Sequence, residues 1–92
     1  MMEKKPGQKI TDITTLEEGD IVRPSRHMSH KTLLFVVTGF RGHNALISRC
    51  DEVGNPDNRY KAYHVGPEAV MRGALTYVDS RGEALENKRA DT

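Results

Sequence analysis

The chain has no tryptophan, one cysteine and only five aromatic residues: Phe35, Phe40, Tyr60, Tyr63 and Tyr77. A lone thiol, Cys50, has no internal disulfide partner, so a reducing, cytoplasmic home is expected. Long apolar runs are also missing. The longest is Leu33 to Val37, far too short to span a bilayer, and no membrane association is expected. Residues Met1 to Gln8 carry lysines with no apolar stretch after them, so this segment is not expected to act as a signal peptide. Most informative is the missing charge. Between Ile21 and Cys50 there is no aspartate and no glutamate.

That carboxylate-free stretch holds Arg23, Arg26, Lys31, Arg41 and Arg49, with His27, His30 and His43 among them. The remainder has nine basic and thirteen acidic residues, a net of −4, while the whole 92-residue chain carries only +1. Such asymmetry points to an anionic partner more than total charge does. Ninety-two residues make one domain with a thin core. A core of that size leaves little room for a deep, well-supported pocket, so a binding role is expected and an enzymatic one is not.

Local patterns predict a mainly β fold of about five short antiparallel strands. A curled sheet or SH3-like small barrel, with one or two helical turns, would close the core. Residues 1–9 read as a flexible tail, 10–79 as a compact domain, and 80–92 as a polar tail or marginal helix. Thr14 to Gly19 reads as one capped helical turn with a threonine N-cap and Gly19 closing it. Asp20 to Arg23 reads as a strand ended by Pro24, and Ser25 to Lys31 as a polar, basic loop. Thr32 to Phe40 is the strongest β segment, apolar on both faces and therefore central. With Arg41-Gly42-His43-Asn44 as turn and Ala45 to Asp51 as return strand, it predicts a hairpin over 32–51. Glu52 to Asn58 is loop. Arg59 to Val65 reads as a strand, Pro67 to Arg72 as a short helix stopped by Gly73, and Leu75 to Val78 as a last strand.

Leu16-x-x-Gly19-Asp20-Ile21-Val22 resembles the first turn and strand of SH3-like small barrels, including modules on ribosomal and transcription proteins. That resemblance implies a binding module whose contact face is the loop after the first strand plus the hairpin tip. In size, strand-rich layout and composition, the whole chain is similar to phage-encoded inhibitors of the anti-CRISPR type acting on type I surveillance complexes. This implies a stoichiometric protein that occupies a nucleoprotein surface. It transfers no functional residues. The absence of an acidic run argues against DNA mimicry and for docking on RNA-lined or acidic parts of a complex.

The expected partner is therefore a nucleoprotein or RNA or DNA, with an acidic protein surface as the alternative for an adaptor module. Arg23, Arg26, His27, His30 and Lys31 are expected to meet Arg41 and His43 on one edge, with Arg49, Arg59 and Lys61 extending the set. Charge reversal at Arg26, Lys31 and Arg41 together is expected to cost partner affinity and little stability. Tyr63 with Arg59 and Lys61 suggests a stacking platform, although tyrosines so placed are more often core edges with wet hydroxyls. His27-x-x-His30 with His43 and Cys50 invites a zinc reading, but no second thiol or Cys-x-x-Cys knuckle completes it, so no metal or cofactor is expected. No nucleophile elbow and no phosphate loop is present. Gly39-Phe40-Arg41-Gly42 lacks the Gly-Lys-Ser/Thr that a phosphate loop needs.

Overall fold

A two-residue turn organises the strongest pairing in the chain. Gly42 adopts φ +62 and His43 does not have a positive φ, the pattern of a type II′ turn, which suits the twist of the strands it joins. In the computed structural model, which describes residues 4–25 and 33–82, this turn links β3 (Phe35–Arg41) to β4 (Asn44–Arg49). The remaining elements are β1 (Lys9–Ile10), a 3-10 turn (Ile13–Thr15), β2 (Asp20–Pro24), β5 (Tyr63–Val65), α1 (Pro67–Met71) and β6 (Leu75–Ser80). All strand pairs are antiparallel, in the spatial order β1-β6-β2-β3-β4-β5. The fold is thus mainly β, and β3 is central, as its two apolar faces require.

The sheet curls because two strands carry an extra residue. In β3 the register passes from Val37↔Ile47 to Gly39↔Leu46, leaving Thr38 unpaired, and in β6 Val78 is skipped between Ile21↔Asp79 and Val22↔Tyr77. A bulge bends its strand and raises the local twist. Curling lets one face gather Ile10 of β1, Val22 of β2, Val37 of β3, Ile47 of β4 and Leu75 of β6 into a single buried cluster. Leu16 and Val70 of α1 join that cluster, and Val65 of β5 packs against it. Each fully buried aliphatic side chain contributes about 1.5–3 kcal/mol. Among the described residues β1 and β5 do not pair, so the ladder is open at those two strands.

The opposite face holds a smaller cluster. Ile21 packs with Val53, Leu34, Cys50 and Val78. Its cover is the loop after β4, closed by Asp51. One carboxylate oxygen of Asp51 accepts from the Val53 and Asn55 amides, and Asn55 Nδ2 donates to the other. Gly54, at φ +85, sits so close beneath Arg81 and Ile21 that an added Cβ would come within 3.1 Å of both. Glycine is required there for conformation and for space alike.

Four expectations are corrected. The turn near residue 14 is capped by Asp12, whose Oδ1 accepts from the Thr14 amide at 2.9 Å; it ends at Thr15, and Glu17 and Glu18 lie outside it. β2 runs one residue further than Asp20 to Arg23 and includes the Pro24 at which it ends, opposite Leu75. Its missing N–H is tolerated because, among the described residues, β2 meets β3 at Ile21 and Val22 alone. Residues 4 to 9, read as part of a tail, lie along β6: Gly7 N–H donates to Tyr77 O and Tyr77 N–H to Gln8 O, both at 2.8 Å. Finally, Arg59 to Ala62 is not strand. Asp57 Oδ1 accepts from the Arg59 amide and Asp57 O from the Tyr60 amide, which turns the chain before β5 begins. The expected marginal helix over 83–89 lies outside the described residues.

Candidate functional site

Alternation along the hairpin decides where its cations go. Ala45 and Ile47 face the main core cluster, so Arg49, two residues on, has its side chain on that same face at the end of β4. Arg41 pairs with Asn44, one rung beyond Phe40↔Ala45, and therefore lies on the opposite face. Arg23 follows the core residue Val22 and shares that opposite face. Arg41 and Arg49 stand five rungs apart, about 17 Å at ~3.3 Å per residue.

Of the basic residues expected on one edge, only Arg23, Arg41, His43 and Arg49 of the segment from 21 to 50 are among the described residues. Arg23 and Arg41 are on one side of the sheet, Arg49 on the other, and His43 is exposed in the turn. Arg26, His27, His30 and Lys31 lie outside the described residues.

A different set does come together, at the far end of the hairpin. The Arg49 guanidinium lies over the Tyr60 ring, 4.3 Å from its centroid, and the Arg59 guanidinium is 5.9 Å from the same centroid. Arg59 grips Asp57 through two parallel bonds, Nε to Oδ1 at 3.0 Å and Nη2 to Oδ2 at 2.8 Å. These hydrogen bonds hold the Asp57 carboxyl down at about 2, so it remains an anion throughout the physiological range. Asp57 N–H in turn donates to Arg49 O at 2.7 Å, which fixes the turn against β4. Phe35 is the cross-strand partner of Arg49, and its ring meets that of Tyr63 edge to face, at 5.6 Å and 84°. Tyr60, Arg49, Phe35 and Tyr63 thus follow one another in a row, with Phe35 buried in the core, Tyr60 and Tyr63 exposed, and exposed Lys61 in the segment between the two tyrosines.

Tyr63, with its ring against the core residue Phe35, is the core-edge tyrosine the sequence leads one to expect, whereas Tyr60 stands off the core. Tyr77 is buried, but Tyr60 is 43% exposed and Tyr63 53%. These exposures follow from the turn at Asp57, which keeps residue 60 off the sheet, and from the position of β5 at the sheet edge, which among the described residues leaves Tyr63 with a neighbouring strand on one side only. Sequence reasoning named Arg49, Arg59 and Lys61 but missed Asp57. The signal was present: an aspartate two residues before an arginine, in a Pro-Asp-Asn turn, is the pattern for a carboxylate that organises a loop.

A second surface was not anticipated at all. The hairpin tip, the 3-10 turn and α1 enclose an open groove of about 810 Å³ lined by Ile13, Leu16, Phe40, Pro67 and Met71, with Asp12 and His43 among its polar residues. Phe40 and Met71 are 46% and 69% exposed.

Among the described residues no group of three or more His, Cys, Asp or Glu side chains is placed to hold a metal ion. Cys50 is half-buried beside Ile21 and Val53, and burial, followed by the nearby Asp51 charge, pushes its thiol up to about 11. At neutral pH that leaves about a hundredfold less thiolate than the ordinary value gives. Alkylation by iodoacetamide is therefore expected to be slow in the native protein and to accelerate on the order of a hundredfold in denaturant. Equal rates in the two states would show an accessible, reactive thiol. No family model, no curated protein and no solved structure matches the chain.

Proposed function

We propose that this protein is a non-enzymatic binding module that docks on a nucleic acid or on the nucleic acid of a nucleoprotein. The observation that carries this reading is the gathering of Arg49 and Arg59 on the exposed ring of Tyr60, with exposed Lys61 next to it in the chain and exposed Tyr63 two residues further on. Cations neutralise phosphates, and aromatic faces accept bases. Asp57 supports the reading by holding Arg59 beside the Tyr60 ring, so the arginine is already ordered before a ligand arrives. A stoichiometric inhibitor of a nucleoprotein complex, the role implied by the resemblance to anti-CRISPR proteins, is one setting in which such a surface would act.

The test is binding of the full chain to immobilised RNA and DNA across a salt series. Phosphate contacts make log K fall linearly with log salt. The reading requires measurable binding with a negative slope. No binding to either polymer, together with capture of an acidic protein from nuclease-treated lysate, would replace it with the adaptor reading.

A further inference from the structure

We infer that the Tyr60–Tyr63 surface selects single-stranded nucleic acid over duplex, with a base stacked on Tyr63 and the backbone along Arg49 and Lys61. This inference rests on the nucleic-acid reading above and goes beyond it, because that reading is indifferent to strandedness.

Charge arithmetic is the first argument. Arg49 and Arg59 lie at Tyr60 and exposed Lys61 follows it in the chain, but Asp57 is ion-paired to Arg59, so these residues carry no more than two positive charges in excess. Two phosphate contacts correspond to a salt slope of only about −1.4 on a single strand or −1.8 on a duplex. Duplex binders that rely on the backbone engage several times more phosphates. A surface this weakly charged needs a second source of affinity.

Geometry supplies it. Tyr63 stands on an edge strand and is more than half exposed, yet its ring is held by the edge-to-face contact with Phe35. A fixed ring loses little freedom when a base lands on it. Tyr60 is held in its own way, beneath the Arg49 guanidinium. Bases inside a duplex have both faces covered by their neighbours and cannot use such rings. Bases of a single strand can, whatever their sequence.

Fluorescence anisotropy with labelled oligothymidylate and a duplex of equal length tests this. The single strand is expected to bind about tenfold or more tighter than the duplex, given what one stacked base contributes. Tyr63→Leu is expected to weaken the single strand by about five- to a hundredfold and leave the duplex unchanged, while Tyr63→Phe, which keeps the ring, stays within about twofold of the parent. Tyr60→Leu provides an independent second variant, and thermal melting establishes that each variant is folded. Equal affinity for strand and duplex, or an unaffected Tyr63→Leu, overturns the stacking inference and leaves the nucleic-acid reading standing. Absence of binding to strand and duplex alike, with labelled oligouridylate also unbound, overturns the two together.

Discussion

Replacing Asp20 with alanine is expected to lower the unfolding free energy by about 2–4 kcal/mol, the range for removing one partner from a buried, charge-assisted pair. Asp20 is 4% exposed at the start of β2. Its Oδ2 accepts from Lys4 Nζ at 2.7 Å and from the Glu17 amide at 2.9 Å. Lys4 Nζ also donates to Thr15 O and lies 5.8 Å from the Tyr77 ring centroid. One carboxylate thus ties the segment before β1, the turn before β2 and the sheet together. Alanine leaves a largely buried ammonium without its counter-charge, though still bonded to Thr15 O, and the Glu17 N–H without its acceptor.

In a domain of this size the loss corresponds to a melting point lower by about 10–20 °C. Asp20→Asn keeps an acceptor for the Glu17 amide and is expected to lose less. Lys4→Met with Asp20→Asn should cost less than the two single changes summed, since both remove the same interaction. Additive costs in that cycle would show that Lys4 and Asp20 do not stabilise each other.

The second large effect is on binding. Changing Arg49 and Lys61 together to glutamine is expected to lower affinity for a single strand more than tenfold at low salt and to flatten the salt slope by about 1.4. Stability should change by no more than about 1 kcal/mol, because an exposed cation and one cation–π contact contribute little to folding. The informative control is the pair Arg23 and Arg41. Both belong to the same carboxylate-free stretch of sequence, but they stand on the other face of the sheet. Their replacement is expected to leave affinity within about twofold, the effect of charges on the far face screened over a Debye length. A larger loss from Arg23 and Arg41 than from Arg49 and Lys61 would move the interface to that opposite face.

These two experiments divide the molecule along the line between local and long-range information. The hairpin was legible because Leu33 to Val37 is strongly β-forming and Gly42 provides the turn, both properties of adjacent residues. Helix α1, opened by Pro67 and stopped by Gly73 at φ +77, was legible for the same reason. The segment before β1 was not. It has no alternating pattern and is held by Tyr77 and Asp20, partners distant in sequence. Arg59 to Ala62 misled because two tyrosines with alternating neighbours suit a strand, whereas Asp57 offered the backbone a competing turn.

By itself the sequence determined a strand-rich chain with its β3–β4 hairpin, its breaker positions and thirty consecutive residues without a carboxylate. Which face each cation occupies was decided only by tertiary structure. Side-chain direction reverses at every residue of a strand and the bulge at Thr38 shifts the hairpin pairing, so Arg41 and Arg49 part across the sheet. Arg49, on β4, instead meets Tyr60 and Arg59, which reach it through the turn that Asp57 imposes.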